Sequence, residues 1–158
     1  MAAIPSNGLD CRDLWCQTGA MELAHALDLA RSRRFSVLVT IRANTRPQLS
    51  NVGHLISDDG LIRISITADR AKYKNLLREP WAALHVARDD FFAYAVIEAD
   101  AELSPIASAP EDDTVAELVA LYRGVAGEHE NWGEFRAAMV SERRVVARLH
   151  PTRAYGML

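Results

Sequence analysis

The chain predicts a mainly β fold: a small closed or nearly closed barrel of six antiparallel strands with short helices inserted between them. Runs of strand length rich in β-branched residues recur along it, several joined by turns short enough to force antiparallel neighbours. Helical patterning is confined to short intervening stretches, and no G-x-G-x-x-G follows any strand, which excludes a regularly alternating α/β sheet. With 158 residues and 49% hydrophobic content, the chain suits one globular domain with a real core.

Residues 1–19, with Pro5, Gly8 and Gly19 and no sustained periodicity, read as a loosely ordered arm, and 20–158 as a single barrel domain. Cys11 and Cys16 lie in the arm. No second Cys/His pair follows at zinc spacing, so neither a disulfide nor a metal is expected there. Met21 to Arg31 has helical spacing, with Leu23, Ala26, Leu27 and Ala30 on one face. Phe35 to Arg42 is the first strand and Gln48 to Ile56 the second. Ser57-Asp58-Asp59-Gly60 is a hairpin turn into the third, so these three strands are expected to form a meander.

The third strand alternates Ile62, Ile64 and Ile66 with Arg63, Ser65 and Thr67. A helix follows, with Asp69 expected as its N-cap and Pro80 as its stop. Trp81 to Ala87 is the fourth strand and Phe92 to Leu103 the fifth. After a proline-bounded loop, Asp112 or Asp113 caps a helix carrying an apolar stripe of Val115, Leu118, Val119 and Tyr122. Another helix spans Trp132 to Glu142, and Arg144 to Leu149 is the sixth strand, ended by Pro151.

A net charge of -3 argues against nucleic acid as the main partner and makes a local basic cluster more informative. No apolar run reaches the ~20 residues of a membrane helix. The N-terminus lacks the pattern of a secretory signal, so cytoplasmic residence is the expectation. The basic cluster is Arg70, Lys72 and Lys74, at a helix start where the macrodipole is already positive. An anion would use both the charges and the orphan N–H groups, as a phosphate or carboxylate site does. The alternative is a solvated basic helix start.

Other catalytic patterns are missing. There is no G-x-S-x-G elbow and no H-E-x-x-H, and no metal site is expected from the five histidines. His54 and His85 fall within strands, and each acidic pair has an ordinary turn or capping role. An anion site on a barrel without a protein-borne catalyst leaves two options: ligand binding, or chemistry carried by a cofactor.

Three segments carry a resemblance: R-P-Q-L-S-N-V at 46–52, S-I-T-A-D-R-A-K-Y-K-N-L-L-R-E-P at 65–80, and D-T-V-A-E-L-V-A-L-Y-R-G-V-A-G-E-H at 113–129. Together with M-V-S-E-R-R-V-V and the closing Tyr155-Gly156, they resemble the pyridoxamine-5′-phosphate-oxidase-like split-barrel superfamily. Within it, the actinobacterial branch that binds the deazaflavin coenzyme F420 is the most similar. The resemblance runs from about Phe35 to Met157 and implies a split-barrel homodimer with two cofactor sites at the subunit interface. Arg70 and Lys72 match the pair that grips the cofactor phosphate. Ser50, Asn51 and Val52 match the strand along the ring, and Ser65, Ile66 and Thr67 a strand end that approaches it. Phe92 matches a residue that closes the partner's pocket.

The implied activity is an F420-dependent oxidoreductase delivering a hydride to a small conjugated substrate, with Tyr94 or His54 as candidate proton donor. FMN is the alternative cofactor, because it too carries a phosphate. A non-catalytic F420 carrier is the alternative of a different class.

Overall fold

The computed structural model describes residues 19–158. Its strands are β1 (Gly19–Met21), β2 (Phe35–Ile41), β3 (Pro47–Gly53), β4 (Leu55–Ile56), β5 (Ile62–Thr67), β6 (Trp81–Ala87), β7 (Tyr94–Leu103) and β8 (Arg144–Met157). Its helices are α1 (Leu23–Arg31), α2 (Ala71–Arg78), α3 (Asp113–Ala126) and α4 (Trp132–Ser141). The arm expected at 1–19 lies outside the described residues except for Gly19, which pairs with Gly156 as β1 joins β8.

All pairings are antiparallel, in the order β3-β2-β6-β7-β8-β5-β4. The mainly β class with inserted helices is as expected, with eight strands in place of six. The meander is not. The run read as one strand from Gln48 to Ile56 breaks at His54, and its two parts pair at opposite ends of the strand order. One continuous segment, 47–56, therefore bends the sheet round on itself into a barrel.

His54 holds that corner. It is 2% exposed, its ring Nε2 lies 2.9 Å from the Ala30 carbonyl, and Nδ1 lies 3.0 Å from Ser36 Oγ. A carbonyl can only accept, so the proton sits on Nε2 and Nδ1 accepts from the Ser36 hydroxyl. The His54 backbone N–H also donates to the Arg34 carbonyl at 3.0 Å. The end of α1, the start of β2 and the corner are thus joined through one neutral imidazole.

Alternation decides the rest of the packing. Leu38, Ile62, Ile64, Ile66, Leu84 and Ile97 point into the barrel, where Ala26, Leu29 and Ala30 of α1 and Leu76 of α2 meet them. On the outer face of β8, Val146 packs with Val115, Leu118 and Val119 of α3 and Phe135 and Met139 of α4. α3 is capped by Asp112, which accepts from the Val115 N–H at 2.7 Å. Beside this layer Glu117 accepts from Arg63 at 2.8 Å and from Arg148 at 2.6 Å. At Gly124 the end of α3 lies close on β4, where a Cβ would push the Leu55 side chain aside.

Three boundaries differ from expectation. Asp69 does not cap α2; Arg70 takes the N-cap position, with no side-chain cap hydrogen bond. The fifth strand starts at Tyr94 because residues 88–93 form the turn, with Phe91 at φ 63°. β8 continues through Pro151 to Met157, since a register shift between Glu98 and Ala99 places the proline at a bulge, where its missing N–H costs no ladder bond.

Replacing His54 with Ala leaves the Ala30 carbonyl unpaired over a cavity, and should cost about 2–4 kcal/mol in urea unfolding. Burial, against a smaller pull from the Ala30 carbonyl, holds the imidazole below its ordinary 6.5. The unfolded chain then binds a proton that the folded corner refuses, so stability falls as pH drops below that value. Between about pH 7.5 and about pH 5 the wild type should lose more stability than His54→Ala, and parallel curves would exclude this role.

Candidate functional site

Because β4 is only two residues long, β5 is paired on one side to β8 along its length but on the other only at Ile62 and Arg63. Among the described residues, β3 is paired only to β2. The facing edges of β3 and β5 come close without forming a ladder, so the barrel is split along this seam. Backbone groups on both edges are left for another partner.

The basic cluster lies at the end of β5. Arg70 is exposed and Lys72 half-buried on the first turn of α2, which carries no acidic residue. Thr67 pairs across the ladder with Arg144, which brings a third cation from β8 to the same place. Burial, and then repulsion from Arg70 and Arg144, lowers the Lys72 ammonium from its ordinary 10.5. Neither Arg70 nor Lys72 has a carboxylate within salt-bridge distance among the described residues. Arg144 is held by Glu142 at 2.7 Å and reaches Ser65 Oγ at 3.3 Å. The Thr67 hydroxyl is shielded from solvent, lies near the Asp69 carboxylate, and makes no hydrogen bond in the described residues. Converging cations beside this hydroxyl and uncapped N–H groups are the chemistry that an anion such as phosphate would use.

The strand residues divide by face. Asn51 on β3 and Ser65 and Thr67 on β5 project outward beside the seam. Ser50 and Val52 turn inward opposite Leu38 and Ser36; Ser50 is half-buried, whereas Val52 and Ile66 are buried and can meet a ligand only through their backbone. Ser50 also receives the Gln48 amide at 2.7 Å, and Gln48 is linked through Thr40 to Asn75 of α2.

On the outer side of the sheet, Phe35, Val37, Asn51, Gly53, His85 and Phe91 line most of an open cleft of about 640 Å³. Tyr94 stands next to it, its ring stacked on His85 with centroids 5.5 Å apart. His54 is on the inner side, with both ring nitrogens engaged. Phe92 is 70% exposed on the β6–β7 turn, away from the cluster in its own chain, and Phe91 is the residue of that turn that borders the cleft. Arg144, Arg34 and Phe35 were not singled out from the sequence. Arg144 meets Ser65 across 79 residues, and only the β5–β8 register reveals it. Among the described residues, no group of three or more His, Cys, Asp or Glu side chains is placed to hold a metal ion, and no helix is long and apolar enough to cross a membrane.

Comparison with known proteins gives the same fold. The family model for pyridoxamine 5′-phosphate oxidase matches residues 23–158. A solved F420 reductase superimposes with a TM-score of 0.62 at 23% identity, over 80% of this chain and 93% of that one. A conserved hypothetical protein, Rv2991 from Mycobacterium tuberculosis, gives 0.67 at 21% identity, over 89% and 87%. A pyridoxamine 5′-phosphate oxidase-related, FMN-binding protein from Nostoc punctiforme gives 0.54 at 18% identity, over 84% and 79%.

Lys72→Ala should weaken binding of FMN, used as a phosphate-bearing probe, by ~1–3 kcal/mol, the scale of a charge-assisted hydrogen bond. Its unfolding midpoint should stay level or rise slightly, since a cation is removed from a helix N-terminus. Lost stability with unchanged affinity would make the cluster structural. Arg144→Gln should raise the Lys72 pKa in an NMR titration, because one of the two repelling charges is gone.

Proposed function

We propose that this chain, which belongs to the pyridoxamine 5′-phosphate oxidase family, is an F420-dependent oxidoreductase acting on a small conjugated organic substrate. The observation that carries the proposal is the cluster of Arg70, Lys72 and Arg144 at the mouth of the split barrel, at the β5 end that carries the Thr67 hydroxyl. The residues present fit a phosphate-bearing flavin or deazaflavin. Arg70 offers a bidentate fork and Lys72 a point charge for the phosphate, while the orphan hydroxyl supplies a directed donor. The open edges of β3 and β5 offer backbone groups to the polar rim of a flat ring, with the Asn51 and Ser65 side chains beside them. When bound, such a coenzyme supplies a hydride equivalent for an electrophilic acceptor.

The chain's own part is to bind, orient and exclude water. Arg70 and Lys72 anchor and take no part in the redox step. Tyr94 is the stronger candidate to pass a proton, because it lies on the outer side next to the cleft, whereas both nitrogens of His54 are committed to the corner.

The bare side of the sheet supports a homodimer. Val37, Val39, His85 and Tyr94 lie on the outer face of β2, β6 and β7, and no described helix covers it. Leu49, Phe35, Phe91 and Phe92 are 61–80% exposed around it. A second copy would bury this patch and bring its Phe92 over the seam. The F420 reductase among the structural neighbours supports the choice of deazaflavin, and the FMN-binding neighbour supports FMN as the alternative.

Parallel fluorescence titrations with F420 and FMN decide the cofactor: the expected order is tighter binding of F420. Reduced F420 presented with a panel of unsaturated acceptors should be oxidised by the protein. Tight F420 binding with no acceptor turned over would leave a carrier and overturn the enzymatic part. Val37→Asp should give a monomer in sedimentation that binds cofactor at least about tenfold more weakly, the loss expected if the site is shared between subunits.

A further inference from the structure

A second cleft, of about 520 Å³, opens between the α3–α4 layer and the outer face of β5 and β8. The layer's core is well packed around Val115, Val119 and Val146, but packing stops towards the Ser65 end of the strands. There Leu118, Tyr122, Phe135 and Met139 form apolar walls. The charged and hydroxyl side chains lining it belong to Arg34, Ser65, Arg144 and Tyr122. A small-molecule pocket of ordinary size with apolar walls and a few polar groups selects a hydrocarbon body carrying an anionic end.

The two guanidiniums are not equivalent. Arg144 is engaged by Glu142 and Ser65. Arg33, next in sequence to Arg34, is taken by Asp89 at 2.8 Å. Arg34 has no carboxylate within salt-bridge distance among the described residues. Its backbone is nonetheless fixed, because its carbonyl accepts from the His54 N–H at the barrel corner. A guanidinium without a salt-bridge partner, anchored through its backbone at the rim of an apolar cleft, is available to a carboxylate. Tyr122 and Phe135, 4.9 Å apart between ring centroids, offer aromatic surface to a flat body.

We infer that this cleft is a binding site for a flat, largely hydrocarbon carboxylic acid, with its carboxylate on Arg34 and its body between the α3–α4 layer and the sheet. It shares Ser65 and Arg144 with the anion receptor and Phe35 with the outer cleft, so its occupant lies beside the seam. That the acid is the substrate rests on the proposed oxidoreductase function; that it binds does not.

The probe is 2-naphthoate, titrated calorimetrically into the intact chain without coenzyme, against the neutral 2-naphthamide. The expected result is saturable binding at one site per chain, at least about tenfold tighter for the acid. Arg34→Gln should lower the acid to the affinity of the amide and leave the amide unchanged. Val125→Trp should abolish both by filling the cleft, with Ala126→Phe at the exposed rim as a second blocking variant should the first unfold. Lys72→Ala should change neither. Equal affinity for acid and amide, insensitivity to Arg34→Gln, or loss of the acid in Lys72→Ala would each overturn the site, the last by placing the carboxylate in the phosphate receptor. Failure of F420 to bind would refute the cofactor reading and leave this result standing.

Discussion

The fold depends on one segment belonging to both edges of the sheet. Residues 47–56 leave β2 on one side and reach β5 on the other, and the turn between them falls on a residue buried where α1 ends. An apolar side chain there would strand the Ala30 carbonyl, and a charged one would have to be desolvated. A neutral imidazole satisfies an acceptor and a donor at once. The same corner decides where the barrel opens. β4 gives β5 two residues of pairing and then yields to β3, which diverges, so the seam follows from the bend.

An open seam next to a helix start would ordinarily be a weakness. α2 begins without a side-chain cap or an acid in its first turn, and with like charges crowding Lys72. Interactions at its other end hold it. Asn75 is buried and donates to Thr40 at 3.0 Å, Thr40 is bonded to Gln48, and Arg78 reaches the Ile41 carbonyl, all on the β2–β3 hairpin. The cost of the cation cluster is therefore carried by contacts distant from it. The cluster can remain unneutralised until an anion arrives, and local strain held this way is typical of binding sites.

Much of this was legible in the sequence, because strand alternation and turn chemistry are local. The Ile62, Ile64, Ile66 register and a cap at Asp112 or Asp113 came directly from spacing, and the structure selects Asp112. The corner was not read from the sequence, although Gly53, directly before His54, is the residue in that run that signals a bend. Pro151 read as a stop because a proline removes a ladder donor, and only the extra residue opposite Ala99 shows why it is tolerated. Of the anion receptor, Arg70 and Lys72 were visible because they share a helix start. Arg144 was invisible because its place depends on pairing between β5 and β8, and a one-residue slip would have sent it to the other face.

The charges on the sheet's outer face show how site and scaffold are kept apart. Next to α3, Arg63 and Arg148 are both neutralised by Glu117, with Asp59 and Glu102 completing the chain of pairs. Burial alone would raise the Glu117 carboxyl, but Arg148 and Arg63 pull it below its ordinary 4.5, so that network stays ionised at neutral pH and serves packing. Two residues further along β5 the pattern reverses. Ser65 and Thr67 replace the guanidinium; Arg144, held by Glu142, bonds Ser65, while Arg70 and Lys72 have no carboxylate within salt-bridge distance among the described residues. In a chain of net charge -3, acids were available to neutralise them. Asp59, Glu102 and Glu117 lie on or beside α3, and at the seam Glu142 and Asp69 stand beside Arg70, Lys72 and Arg144, so positive charge predominates where two strand edges and two clefts meet.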